Sequence, residues 1–446
     1  MSIIRGISGI RGIVGETLTY EIVGIHSRAF SIIQKSGGIL LARDSRSHGD
    51  ELLKSAIKSL HKSGRKVLDC GIIPTPTAQF LVEKHQLAGG IVITASHNPS
   101  EWNGMKFIDS DGCFLDANKN TQLFQIADED NFAEEFTSGE AIDFTSEVNE
   151  HIQHTINLSA IDSNKIRERK FKVVVDSVNG AASKVLPKLL SKLNCEVIPM
   201  HCELDGKFPR GAEPLPENLA ELSNAVIQNG ADVGFATDPD GDRLAVVDEN
   251  GNPLGEEYTL TICADGFLAQ NRIKQPLVTN LSTTMALDKI AEKYKTNVTR
   301  SAVGEINVVN LMKELNSPLG GEGNGGVILP ESHYGRDSLV GCAMFLNRMA
   351  QTNETVSKIF ESMPQFTMVK TRIQLDELNP EIAIKNIADE FYNVEQNTVD
   401  GLKLIWADRW VHIRKSNTEP IIRIYAEAPT KELALKLVDK IKSIIN

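Results

Sequence analysis

The stretch KVVVDSVNGAASKVLPKLL, residues 172–190, decides the fold. Three consecutive valines, Val173 to Val175, end on Asp176, and Asn179-Gly180 then marks a turn. Leu186, Leu189 and Leu190 follow at helical spacing. A strand that is apolar at every position has no face left for water, so it belongs in a sheet covered by helices on both sides. The same order of short apolar strand, turn and helix occurs earlier in the chain. Gly38-Ile39-Leu40-Leu41-Ala42 runs into Arg43-Asp44, and Lys66-Val67-Leu68-Asp69 runs into Gly71-Ile72-Ile73-Pro74-Thr75-Pro76. Between them, Leu52, Leu53, Ala56, Ile57 and Leu60 make one helical stripe. The fold class is α/β with mostly parallel sheets.

Boundaries follow from shifts in pattern. Residues 127–156 are acidic and weakly periodic (Ala127-Asp128-Glu129-Asp130, Ser138-Gly139-Glu140), which puts a first boundary near 155. A second falls at Gly251–Glu256, after the strand Leu244-Ala245-Val246-Val247. A third falls at Pro364-Gln365, beyond which strands alternate: Thr367–Gln374, Leu402–Trp406, Trp410–Arg414 and Ile421–Glu427. Thr430 then caps a final helix with Leu433, Leu437, Val438, Ile441 and Ile444 on one face. The expected organisation is three α/β domains, 1–155, 156–255 and 256–365, with a smaller α+β domain at 366–446.

The 446 residues are 41% hydrophobic and 24% charged, ordinary values for a globular chain. No apolar run approaches the roughly 18 residues of a membrane span, and Met1-Ser2-Ile3-Ile4-Arg5-Gly6 does not read as a signal peptide. Six cysteines lie scattered without a C-x-x-C pair, which favours a reduced, cytoplasmic protein over a disulfide scaffold. A formal net charge of −12 argues against nucleic acid or an anionic membrane as partner. An anionic small molecule remains open, provided that basic groups converge locally.

Four short stretches carry the chemistry. The first is Thr94-Ala95-Ser96-His97-Asn98-Pro99, at the end of the apolar run Gly89–Ile93 and followed by Lys106. The second is Thr237-Asp238-Pro239-Asp240-Gly241-Asp242-Arg243, between two strand-like runs. Alternate carboxylates along an extended segment leave one face and can meet around a hard cation such as Mg²⁺. An EF-hand through Asp238, Asp240, Asp242 and Glu249 fails, because Arg243 takes its glycine position and the flanks read as strands. The third is Gly320-Gly321-Glu322-Gly323-Asn324-Gly325-Gly326, whose glycines admit a ligand close to the backbone while Glu322 and Asn324 can bond sugar hydroxyls. Taken alone it also reads as a flexible turn. The fourth is Arg414-Lys415-Ser416-Asn417-Thr418-Glu419-Pro420 with Arg423, a hairpin rich in donors for a phosphate dianion.

Ser96 is then the decisive residue. A Ser-His-Asp hydrolase would present it in G-x-S-x-G, and neighbours on an extended chain point apart, so His97 is poorly placed as its base. A cation site and a phosphate loop suit phosphoryl transfer instead, with Ser96 as the carrier. One oxygen of its phosphoryl group would complete the Mg²⁺ coordination, and Lys106 and His97 would serve the transferring phosphate and its proton.

The motifs T-A-S-H-N-P, D-P-D-G-D-R, G-E-G-N-G-G and R-K-S-N-T-E-P, in this order, resemble the α-D-phosphohexomutase family. Ser8-Gly9-Ile10-Arg11-Gly12 and Gly71–Thr77 extend the likeness along the whole chain. The resemblance implies four domains around one central cleft, and a phosphoserine that acts on a hexose phosphate through a hexose 1,6-bisphosphate. It implies Ser96, His97, Lys106 and Arg11 as catalytic residues, and Asp238, Asp240 and Asp242 with Ser96 as Mg²⁺ ligands. Arg243, Glu322, Asn324, Arg414, Ser416, Asn417, Thr418 and Arg423 would bind substrate. Many relatives carry serine at the position of Asn324, histidine at that of Gly326, and lysine at that of Ala302; Lys106, Arg11 and His333 are the candidates to compensate. The expected reaction interconverts glucosamine 6-phosphate and glucosamine 1-phosphate in a monomer or homodimer. Glucose and mannose phosphates are the alternative substrates, and a metal-dependent phosphatase or a silent sugar-phosphate sensor are the rival functions.

Overall fold

Val173, Val174 and Val175 are fully excluded from solvent, as a strand covered on both faces requires. The computed structural model describes residues 3–132, 141–374, 379–415 and 421–445. The first sheet holds β1 (Ile4–Gly6), β2 (Gly9–Ile13), β3 (Ile39–Arg43), β4 (Val67–Ile72), β5 (Gly89–Ile93), β6 (Trp102–Ile108) and β7 (Ala141–Asp143). Their spatial order is β1-β2-β6-β5-β3-β4-β7. The second sheet, ordered β11-β10-β8-β9, takes β8 (Lys172–Asp176), β9 (Glu196–Met200), β10 (Val233–Thr237) and β11 (Leu244–Val247). The third, ordered β13-β12-β14-β15, takes β12 (Leu277–Asn280), β13 (Val298–Ser301), β14 (Gly320–Glu322) and β15 (Gly326–Ile328).

One unit recurs in all three sheets. β4-β3-β5-β6, β9-β8-β10-β11 and β13-β12-β14-β15 share the same order, with three parallel strands and then an antiparallel one. The expectation of mostly parallel sheets therefore needs refining, since each sheet turns antiparallel at one side. Chain length is the reason: a parallel crossover needs about a dozen residues or more, and the β5–β6, β10–β11 and β14–β15 joints are shorter. These three joints carry Ser96, the aspartates and Glu322, at the carboxyl ends of the parallel strands where α/β sheets bind ligands.

The C-terminal sheet is antiparallel throughout, ordered β16-β20-β19-β18-β17, with β16 (Thr367–Gln374), β17 (Glu395–Asn397), β18 (Leu402–Ile405), β19 (Trp410–Lys415) and β20 (Ile421–Ala428). Thr430 Oγ1 accepts from Leu433 N (3.3 Å) and starts the last helix, whose buried face is Ala434, Val438, Ile441 and Ile445. The second and third sheets share one continuous core, running from Ile152 through Phe235 and Val327 to Met349. The helices Glu257–Gln270 and Ser338–Thr352 lie within it and are buried nearly all round. The weakly periodic segment 127–156 contains the helix Val148–Ile156, which buries His151, Ile152 and Ile156.

Candidate active site

Thr94 and Asp44 build the Ser96 loop. Thr94 Oγ1 donates to Asp44 Oδ2 (2.6 Å) and accepts from Ser96 N (2.9 Å). Arg46, fully buried and paired with Asp44, donates to the carbonyls of Ser96 (3.0 Å) and Asn98 (2.6 Å). So held, Ser96 takes a left-handed conformation with φ 51°. The backbone is not extended here, and the expected divergence of His97 is corrected: its Nδ1 lies 3.4 Å from Ser96 Oγ. The same nitrogen faces Arg243 Nη2 at 3.0 Å. The Arg243 charge, burial and Arg11 together hold the imidazole well below its ordinary range, so it is neutral. Arg11 donates to Asn98 Oδ1 (3.0 Å) on the same loop.

The aspartates converge through a turn rather than along an extended segment. Gly241 supplies the left-handed residue with φ 70°, and Asp238 Oδ1 accepts from the backbone N–H of Asp242 (3.1 Å) and Arg243 (3.2 Å). Carboxylate oxygens of Asp238, Asp240 and Asp242 lie within 4.8 Å of one another, all buried. Ser96 Oγ donates to Asp238 Oδ2 at 3.3 Å. Lys106 Nζ bonds Asp240 Oδ2 (2.6 Å) and Asp242 Oδ2 (3.3 Å), and Thr75 Oγ1 bonds Asp240 Oδ2 (2.7 Å). Burial, then Asp242 and Asp240, push the Asp238 carboxyl well above its usual range. Burial would raise Asp240 as well, but Lys106 holds it below. Asp240 Oδ1 and Asp242 Oδ1 are buried and accept no hydrogen bond among the described residues. Hard oxygen donors, two of them unmatched, make this an acidic group fit for a metal ion. Glu249 instead bonds Ser357 N (3.1 Å), away from the loop, as the failed EF-hand spacing implies.

Glu322 is the hub of the third joint. Its Oε1 accepts from Asn280 Nδ2 (2.7 Å) and Gly304 N (3.1 Å), and its Oε2 from Arg336 Nη1 (2.6 Å). Asn324 turns inward to Glu322 (3.4 Å) and accepts from Gly326 N (3.2 Å). Arg336 was not read from the sequence. It bridges Glu322, Asp242 (2.6 Å) and Glu305 (3.0 Å), and so ties the Glu322 loop to the aspartate loop. A methyl group at Gly326 would come within 2.2 Å of Arg336 Cδ, so the arginine stem fills the space a side chain there would need. The available signal was a basic residue directly before the Asp337 cap of an apolar helix.

His333 does not reach this group. Its Nε2 lies 3.1 Å from Asp337 Oδ2, beside the buried His151, so the expectation that it compensates for Gly326 or Ala302 is withdrawn. Arg414 and Arg423 stand opposite each other in the β19–β20 register, on one face of the C-terminal sheet. Arg414 Nη1 lies 3.4 Å from Asp400 Oδ2, which accepts from Val303 N (3.0 Å). Ser416, Asn417 and Thr418 lie outside the described residues.

Comparison with known proteins agrees with this geometry. Models of the phosphoglucomutase/phosphomannomutase family match in series: alpha/beta/alpha domain I at residues 2–134, domain II at 149–251, domain III at 255–366 and the C-terminal domain at 373–444. A phosphoglucomutase/phosphomannomutase of Thermococcus kodakarensis is 35% identical, covering 97% of this chain and 96% of its own. A phosphoglucosamine/phosphogalactosamine mutase of Sulfurisphaera tokodaii is 32% identical, covering 99% and 98%. The crystal structure of a phosphoglucomutase/phosphomannomutase family protein from Burkholderia thailandensis superposes with a TM-score of 0.86 at 26% identity, covering 98% of this chain and 95% of that one. The chain belongs to the α-D-phosphohexomutase family, a class of isomerases. No helix among the described residues is long and apolar enough to cross a membrane.

Proposed function

We propose that the protein moves a phosphoryl group between O1 and O6 of a hexose through phosphorylated Ser96 and a hexose 1,6-bisphosphate, with Mg²⁺ on Asp238, Asp240 and Asp242. The observation that carries this reading is Ser96 Oγ at 3.3 Å from Asp238 Oδ2. A serine beside a cation site, next to a neutral histidine already engaged by Arg243, is arranged for phosphoryl transfer rather than for acyl transfer.

In the forward step the P–Oγ bond of phosphoserine breaks as a hexose hydroxyl oxygen bonds phosphorus. In net terms the hydroxyl proton passes to Oγ, and Ser96 is returned as the free hydroxyl. The bisphosphate then turns over and gives its other phosphoryl group to Oγ, so nothing is consumed. Bound Mg²⁺ would offset the charge on the transferring group. Lys106 serves as a fixed cation: burial pulls its ammonium down, but Asp240 and Asp242 raise it further, so it stays charged. Arg243 adds a second charge beside Oγ, through Nε at 4.0 Å from Asp238. Arg414 and Arg423 would hold the phosphate that does not move. Since that phosphate is bound alike in ground and transition states, Arg423→Ala should raise KM about tenfold and change kcat little. Unchanged KM and kcat would remove Arg423 from the site.

Glucosamine phosphate is the proposed substrate. The T-A-S-H-N-P-x-x-W-N form and the chain length support it, as does the name of the Sulfurisphaera relative. All six cysteines are free, in keeping with a reducing cytoplasm. The test compares kcat/KM for glucosamine, glucose and mannose 1-phosphates, each with a trace of its 1,6-bisphosphate. A tenfold preference for glucosamine is expected, about 1.4 kcal/mol. The same preference for glucose or mannose would overturn the substrate, and release of free phosphate in place of isomer would overturn the mutase reading.

A further inference from the structure

Lys370 of β16 reaches out of the C-terminal sheet to the helix Glu257–Gln270. Its Nζ donates to Glu256 Oε1 (2.7 Å) and Glu257 Oε1 (3.3 Å). The other oxygen of Glu257, Oε2, accepts from Thr284 N (3.0 Å). That carboxylate also lies directly against Gly323, the residue after Glu322: a methyl group added there would come within 1.9 Å of Oε2. On the loop itself, Gly323 N donates to Thr283 Oγ1 (3.0 Å). The Gly323 turn therefore sits between Thr283 and Glu257 with no room to shift. The next residue of the helix, Tyr258, anchors the connection into β16, accepting from Phe366 N (3.0 Å) and donating to Pro364 O (3.1 Å).

The transfer chemistry above makes no use of Glu257, yet it is a buried carboxyl, which is costly without a purpose or a partner. We infer that Glu257 is a positioning residue for the hexose: it braces the Gly323 turn and, through Lys370, ties the setting of Glu322 to the seating of the sheet that carries Arg414 and Arg423. This rests on the reading of Glu322 as the sugar contact. Burial lifts the Glu257 carboxyl to about 7, while Lys370 works against it; Glu256 and Glu427 push it higher. Without Lys370 the protonated form is favoured further, and an acceptor facing Thr284 N becomes more of a donor. The brace thus depends on a cation supplied by the other sheet.

Hydrogen exchange at residues 320–326 tests the link without any substrate. Lys370→Met should speed exchange there several-fold, whereas Lys370→Arg should leave it as in the wild type. Kinetics supply the second readout. Lys370→Met and Glu257→Gln should each lower kcat/KM for the hexose 1-phosphate about tenfold, largely in kcat, and the double variant should be no worse than the poorer single one. Glu256→Gln, which leaves Gly323 untouched, should stay within twofold. Unaltered exchange at 320–326 in Lys370→Met, or losses that simply multiply in the double variant, would overturn the inference. Should Glu257→Gln fail to fold, Lys370→Met at the exposed side of the sheet decides alone. A wild-type protein without mutase turnover would defeat the proposed function, while the exchange data would still decide the brace.

Discussion

Ser96→Ala should abolish isomer formation, by at least the ~10²–10⁴-fold of a single positioned catalytic group, and should leave the thermal midpoint within a few degrees of the wild type. The two expectations have separate grounds. Oγ makes only long contacts, 3.3 Å to Asp238 and 3.4 Å to His97, so its loss strands no strongly bonded partner. Alanine meets the left-handed conformation at φ 51° with the same Cβ as serine, so the backbone strain does not change. Thr94 and Arg46 bond the loop backbone at 96 and 98, and Asp44 holds the Thr94 hydroxyl and Arg46, so none of these supports uses the Ser96 side chain. Chemistry is therefore lost without architecture. Incubation with hexose 1,6-bisphosphate should phosphorylate the wild type and not the variant, as read in the intact mass, while Ser100→Ala, four residues along and exposed, should still accept the group. Turnover above a few per cent in Ser96→Ala, or a phosphoryl adduct on another residue, would remove Ser96 as the carrier.

What the sequence revealed and what it hid divide along a physical line. Features set by neighbours in the chain were legible. The all-valine strand is β8, its bounds as expected; Thr367–Gln374 is β16; and Thr430 does cap the last helix. Ser96 and the three aspartates stood out because each lies in a stretch whose composition has little other purpose, whereas the Glu322 stretch read equally as a flexible turn. Features that need distant partners were hidden. Arg336 follows Glu322 by 14 positions and Asp242 by 94, and nothing local marks it as the bridge between them. Arg46 acts on carbonyls 50 and 52 residues ahead. Backbone conformation was the other blind spot. Alternate aspartates suggested an extended segment, and only the left-handed Gly241 makes it a turn. The left-handed Ser96 likewise brings in the histidine that an extended chain would have sent away. The recurring strand, turn and helix were legible, but the shared strand order of the three sheets was not, because strand order is set by connection length and handedness rather than by residue identity.

Asp240→Asn should cost the next largest factor, on the order of 10²–10³ in turnover, the scale of a lost group in a dry electrostatic site. Asparagine keeps the volume and one oxygen but not the charge, and two partners feel the difference. Lys106, buried, would keep only Asp242 at 3.3 Å in place of the 2.6 Å contact with Asp240. Breaking one side of a buried ion pair costs roughly 3–5 kcal/mol, softened here by the second aspartate, so a lower thermal midpoint accompanies the lost activity. Cation binding suffers for a different reason. Lys106 already engages Oδ2 of both Asp240 and Asp242, so their Oδ1 atoms, which accept no hydrogen bond among the described residues, and Asp238 Oδ2, with the Arg243 side chain no nearer than Nε at 4.0 Å, are the oxygens left for a divalent ion. Removing one full charge from that trio should weaken Mg²⁺ binding at least tenfold by titration, a readout independent of turnover. A chelator should stop the wild-type reaction, and added Mg²⁺ should restore it. A Lys106→Met variant separates the two effects, since it removes the ammonium and leaves all three carboxylates: its Mg²⁺ affinity should rise while its turnover falls. Asp240→Asn working within tenfold of wild type in the presence of chelator would mean that the three aspartates hold Lys106, Arg243 and Arg336 in place and no ion at all.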